Sequence, residues 1–107
     1  MNTQRIRELN DIFRRTFSGG RVMLTAGFNA LPEETKYQAF ERIKTFDAFD
    51  RGDDPYGEHD FLCIEVDGHK VFAKIDYYDS DIRFGSDDPS DPARTTRVMT
   101  IMLASEY

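Results

Sequence analysis

The eighteen residues from Phe61 to Tyr78, FLCIEVDGHKVFAKIDYY, decide the fold. Leu62, Ile64 and Val66 alternate with Phe61, Cys63 and Glu65. Asp67 and Gly68 interrupt, and Val71, Ala73, Ile75 and Tyr77 resume the alternation. A period of two marks a strand with one buried face, and an Asp-Gly pair supplies the positive φ values that a two-residue hairpin turn requires. Such a turn fixes the register. It sets Ile64 opposite Val71 and Leu62 opposite Ala73 on the core face. Glu65 then meets Lys70 on the outer face, where opposite charges contribute about 0.2–1 kcal/mol. Carried outward, the same register would bring His59 opposite Asp76, on the face that holds Cys63 and Phe72.

Upstream, the period lengthens. After Thr3, read as the N-cap, Ile6, Leu9, Ile12, Phe13 and Phe17 recur at helical steps and stop at Gly19-Gly20. Arg5, Arg7, Arg14 and Arg15 fall on the polar face of this helix. Arg21 to Ala26 reads as a short strand ended by Gly27 and Asn29. Pro32 opens a second helix with Glu33 and Glu34 in its first turn and Tyr37, Phe40, Ile43 and Phe46 or Asp47 along one face. Thr95 to Leu103, rich in β-branched residues and apolar on both alternations, predicts a central strand covered on both sides. Val98, Ile101 and Met102 also fit helical spacing, so a helix there stays open. The expected class is α+β. Two helices pack on a mainly antiparallel sheet of about four strands, in the order α-β-α-β-β-β, as a single domain over residues 1–107.

At 107 residues there is room for one core, and a hydrophobic content of 39% with nine Phe and five Tyr can fill it. One cysteine, Cys63, permits no internal disulfide and fits a reducing cytoplasm, and no window is apolar enough for a signal peptide or a membrane span. We therefore expect a cytoplasmic protein with no membrane partner. Its charge is divided unevenly. Between Asp47 and Asp91 stand fourteen carboxylates and four cations (Arg51, Lys70, Lys74, Arg83), a formal −10, whereas the remaining residues sum to +4. A field of that sign repels nucleic-acid phosphates and attracts basic protein surfaces.

Two calcium patterns fail on their ligands. Asp47, Gly52 and Glu58 match the first, sixth and twelfth places of an EF-hand loop, but Phe49 and Arg51 occupy places that need side-chain oxygens. Asp79, Asp81 and Asp87 lack a correctly placed glycine and a terminal Glu. No phosphate loop, dinucleotide fingerprint or nucleophile elbow occurs, and no cofactor is expected. Two constellations remain. The first is an acidic and aromatic surface for a partner: Asp76, Tyr78, Asp79, Asp81, Phe84, Asp87 and Asp88, a mixture suited to basic protein rather than to direct nucleic-acid contact. The alternative is a small enzyme with His59 and Asp76 as its catalytic pair, or a metal site at Glu58, His59 and Asp60.

Several motifs occur in a fixed order. They are Asn29-Ala-Leu-Pro32, Asp54-Pro-Tyr-Gly-Glu-His-Asp-Phe61, Lys74-Ile-Asp-Tyr-Tyr-Asp79, Gly85-Ser, Asp88-Pro, Asp91-Pro, and Arg97-Val-Met-Thr-Ile-Met-Leu-Ala-Ser-Glu-Tyr107. Together they make nearly the whole chain similar to the domain of unknown function 3768 family. This chain departs from that family's pattern at Ala73, where a tryptophan is usual. The resemblance implies no catalytic residue and no cofactor. It implies a setting, since the family is common in alphaproteobacteria and on their mobile elements. Small acidic proteins so carried often bind host defence complexes. The expectation is thus a non-enzymatic acidic module, an inhibitor of the anti-CRISPR or anti-restriction type. Its partner would be a basic protein surface such as that of a nuclease or nucleic-acid-binding complex. The charge division leaves open a homo-oligomer in which the basic first helix of one copy meets the acidic stretch of another.

Overall fold

In the computed structural model, which describes residues 2–107, the chain forms helix α1 (Thr3–Thr16), strand β1 (Arg21–Leu24), a single turn α2 (Ala26–Asn29) and helix α3 (Glu33–Thr45). Strands β2 (Phe61–Val66), β3 (His69–Tyr78) and β4 (Thr96–Leu103) follow, then a 3-10 turn at Ala104–Glu106. The protein is an α+β domain whose four strands lie in the order β1-β4-β3-β2. β3 runs antiparallel to both of its neighbours, β2 and β4, and β1 joins β4 in parallel.

The hairpin has the expected register: Ile64 pairs with Val71, Leu62 with Ala73, and Glu65 with Lys70. Asp67 and Gly68 both take positive φ, 50° and 80°, as the tight turn requires. The Asp67 carboxylate also accepts a hydrogen bond from the Thr35 hydroxyl at 2.7 Å, tying the turn to the first turn of α3. Residues 96–103 are a strand, and an interior one. Only one of its faces is covered by helices, however: Met99 and Ile101 are buried, while Val98 and Thr100 on the alternate face stay half-exposed.

All three helices lie on the same side of the sheet. Phe13 of α1, Phe28 of α2, and Ala39 and Ile43 of α3 share one core with Leu62, Ile64, Val71, Ala73, Ile75, Met99 and Ile101. Each large side chain so buried contributes about 1.5–3 kcal/mol relative to exposure. The helix faces are rotated from the expected ones. On α1 the buried stripe is Ile6, Asn10, Phe13 and Arg14, and Ile12 is 54% exposed. Arg14 therefore does not belong to a solvated face. On α3 the stripe runs through Thr35, Lys36, Ala39 and Ile43, leaving Tyr37 in solvent. The N-cap of α1 is Asn2, whose side-chain oxygen accepts the Arg5 N–H at 3.0 Å, rather than Thr3. β1 ends at Leu24 because Thr25 caps α2.

The close approach of β1 to its neighbours makes Gly20 irreplaceable. A Cβ there would lie 2.6 Å from the Arg97 carbonyl oxygen and 2.7 Å from the Phe13 ring. Gly20→Ala should lower the unfolding free energy by about 1–3 kcal/mol, as overpacking does. Gly68→Ala meets no atom within 4 Å and strains only its positive φ, at about 1 kcal/mol. Urea unfolding of the two variants should rank them in that order, and equal midpoints would contradict the Gly20 contact.

Candidate functional site

Arg97 sits on the core-facing alternation of β4 beside Met99 and Ile101, and it is 2% exposed. A buried cation of this kind needs partners on every side. Its Nε donates to Asn10 Oδ1 at 2.7 Å, its terminal nitrogen donates to the Pro89 carbonyl, and its guanidinium lies 5.2 Å from the centroid of the Tyr77 ring. Asn10, wholly buried on α1, in turn donates to the Glu58 carbonyl at 3.0 Å and to the Tyr77 hydroxyl at 2.8 Å. Tyr77 donates to the Glu58 carboxylate at 2.7 Å. Burial, followed by that hydrogen bond to Glu58, pushes the phenol far above its ordinary value, so Tyr77 stays protonated and a donor.

A second cluster adjoins the first. Asp11 accepts from Arg14 at 2.9 Å and lies 2.9 Å from Nδ1 of His59. Arg14 also donates to the carbonyls of Ile43 and Lys44 at the end of α3. His59 stacks flat on Phe49, with ring centroids 4.0 Å apart, and its Nε2 faces Asp54 at 3.7 Å. Burial alone would push the Asp11 carboxyl up, but hydrogen bonds from His59 and Arg14, reinforced by their charges, hold it below its ordinary value. Asp60 has the opposite balance. Burial, with the nearby charges of Glu58, Asp54 and Asp76, outweighs its backbone hydrogen bond and raises it.

This geometry corrects the expected pairing of His59 with Asp76. β2 begins only at Phe61, because Gly57 and His59 both take positive φ, 70° and 57°, and turn the chain before the ladder starts. His59 therefore points to α1, while Asp76 pairs across β4 with Val98 and lies 3.4 Å from Lys74. The Glu58, His59 and Asp60 side chains do not converge either: Glu58 turns to Tyr77 and His59 to Asp11. Among the described residues no three His, Cys, Asp or Glu side chains form a metal-ligand group. A cavity of about 290 Å³ opens at the far end of β2, beside Gly68, His69, Lys70 and Leu103.

The face of the sheet without helices carries the other constellation. Phe61 and Phe72 pack there with their centroids 5.0 Å apart, and Tyr107 covers their edges at 6.0 and 5.6 Å. Lys74, Asp76 and Tyr78 continue the same alternation along β3. The charge of Asp76, the largest influence on it, holds the Lys74 ammonium above its ordinary value. Beyond Tyr78 the loop folds back, with Tyr78 bridged to Gly85, and leaves Phe84 73% exposed. The loop's aspartates divide by role. Asp79 accepts the backbone N–H groups of Asp81 and Arg83, and Asp88 accepts both the N–H and the hydroxyl of Ser90, which lowers its carboxyl below the usual value. These two shape the loop. Asp81 is exposed, and Asp87 makes only a loose surface contact of 3.9 Å with Arg94. Asp76 and Tyr78 thus share the open face of β3, and the loop that carries Asp81 and Phe84 is tied to the end of that strand through the bridge between Tyr78 and Gly85.

The fold and these surfaces define a two-layer α+β domain with one sheet face left bare. The chain belongs to the family described as Protein of unknown function (DUF3768), whose family model matches residues 24–106. No curated protein and no solved structure matches it. No helix among the described residues is long and apolar enough to cross a membrane.

Two measurements probe the buried clusters. Arg97→Met strips Asn10 and the Pro89 carbonyl of their partner and should cost about 3–5 kcal/mol, the usual result of breaking a buried charged network. A loss under 1 kcal/mol in urea unfolding would show the network to be dispensable. The second follows the acid limb of stability. The folded-state pKa of Asp11 lies below the value of 3.8 for the free group. Its stabilisation is therefore complete above that value and is lost as pH falls through the folded one. Asp11→Asn should flatten the decline in melting temperature below about pH 4. An unaltered acid limb would contradict the pairing.

Proposed function

We propose that the protein is a non-enzymatic binding module that presents the acidic, aromatic end of its open sheet face to a basic protein surface. One observation carries this reading: Phe84 stands 73% exposed three residues after the exposed Asp81, in a loop tied back to Tyr78 at the end of β3 through Gly85. An aromatic anchor ringed by carboxylates is the arrangement that holds Arg-rich surfaces, with the aromatic supplying affinity and the charges supplying steering. The His59 cluster supports this reading over a catalytic one. Nδ1 of His59 is held 2.9 Å from the Asp11 carboxylate and one ring face is covered by Phe49, so the ring is anchored within its own chain.

The partner class we propose is a nuclease or another nucleic-acid-binding complex, because a groove built to hold phosphates is strongly cationic. The module would act there as an inhibitor by occupying the groove. Asp79 and Asp88 belong to the loop's own framework, so the test uses the remaining side chains. Tagged wild type should capture a basic partner from bacterial lysate at low salt and release it as salt rises. Asp76→Asn with Asp81→Asn should weaken capture, and Phe84→Ala should cost at least ~2 kcal/mol, or roughly thirtyfold in affinity. Capture that is indifferent to all three substitutions and to salt would overturn the assignment.

A further inference from the structure

The two edges of the sheet are treated differently. Along β2, Arg42 of α3 donates to the Glu65 carbonyl, so that edge is partly closed from within. β1 lies at the other edge and pairs only with β4, leaving one side of its backbone without a strand. It is short and begins with Arg21, but it carries no proline and no inward-pointing charge, and Met23 is 53% exposed beside a 37% exposed Leu24. It also lies at the least acidic place in the chain. Residues 12–32 contain Arg14, Arg15 and Arg21 and no Asp or Glu at all.

The helix above this edge is bare on the same side. Arg14 reaches α3 through the carbonyls of Ile43 and Lys44, and α3 lies over β2. With about 100° between successive helical residues, Leu9 and Ile12 fall on the flank of α1 away from α3, which is the flank toward β1. α1 leads into β1 through residues 17–20, so α1 ends at the end of the sheet where β1 begins. Met23 stands two residues into β1, about 7 Å along, and Ile12 stands four residues back from the end of α1, about 6 Å along. The two exposed apolar side chains therefore lie at a similar distance along the edge but in different layers, because Met23 shares the helix-free face with Thr100 whereas Ile12 belongs to the helix layer.

From this we infer that the β1 edge binds a second copy of the chain, β1 against β1 in antiparallel register, to give a two-fold dimer with one continuous eight-stranded sheet. A two-fold axis normal to the sheet keeps like faces together and requires each residue to oppose one of its own parity. Centring on Met23 places Met23 against Met23 and Val22 against Leu24, and it sets Arg21 opposite Thr25 rather than against its own copy. The strand pair alone is too small for a stable interface, which needs about 1,200–2,000 Å² in total. The antiparallel approach of α1 to its copy supplies a second layer, bringing Ile12 to Ile12 and Glu8 toward Arg15 of the other chain. The same axis sends the two acidic loops to opposite ends. A chain of net charge −6 thus associates through its least acidic edge. This surface is separate from the one proposed for the basic partner, and either can fail without the other.

Light scattering on the intact chain, across a concentration series reaching hundreds of micromolar, should give twice the 12.4 kDa chain mass. Met23→Lys should return it to one chain mass with an unchanged far-ultraviolet spectrum. A second experiment stands apart from any effect of that variant on folding. Met23→Cys in a Cys63→Ser background should form a disulfide-linked dimer under mild oxidation, since directly opposed strand residues lie within bridging distance. Tyr37→Cys in the same background should not. A wild-type chain that stays at one mass throughout overturns the proposal. So does a dimer that survives Met23→Lys and gives no selective cross-link at position 23.

Discussion

One buried guanidinium fixes how α1, the end of β3 and the loop before β4 sit together. Arg97 stands in the middle of the core where an aliphatic side chain would ordinarily sit, and α1, the 89–95 loop and the end of β3 are arranged to satisfy it. Asn10 is buried because Arg97 needs an acceptor. Tyr77 lies against its plane, and Glu58 is drawn in because the Tyr77 hydroxyl and the Asn10 amide both need acceptors. An apolar replacement of the whole set would be simpler to bury. What the polar set gives is position: each hydrogen bond has a direction, so α1 can sit on the sheet in only one rotation and the 46–60 segment in only one place.

That constraint has an electrostatic counterpart. Arg14, Arg97 and most of Lys36 are taken into the interior, so several of the cations that offset the acidic stretch are not on the surface. The bare sheet face and its neighbouring loop therefore present carboxylates with little cationic competition apart from Lys74, Arg83 and Arg94. Within the loop, Asp79 and Asp88 are spent on the backbone, which holds Asp81 and Phe84 in one conformation in advance of any contact. Preorganisation of this sort reduces the entropy lost on binding.

The hairpin was legible from its residues alone because an Asp-Gly turn leaves a single register, and the α+β class followed from the change of period along the chain. The helix faces were not. Asn10 and Arg14 look like surface residues, and only their spacing from Ile6 and Phe13 hints otherwise. Arg97 offered a clearer signal, since it shares the alternation of Met99 and Ile101 in a strand that is otherwise apolar on that side. The displacement of His59 from Asp76 had no such signal: positive φ at a histidine is a local conformation that neither composition nor periodicity announces. Asp11 and Asp54, the true neighbours of His59, come from segments whose approach depends on that turn. Of the acidic and aromatic residues, the pattern identified the group but not its division into loop-shaping and free members.

The parallel pairing of β1 with β4 joins Arg21 to Val98 across most of the chain. Contacts so distant in sequence cannot form until nearly all of the polypeptide exists, and closing so long a loop makes folding slow. During synthesis at about 5–20 residues per second, the first helix and strand would wait roughly 4–15 s for their partner strand to be made. Through that interval their apolar residues have only transient cover. The sheet is thus closed on its β1 side only after its last strand has been made.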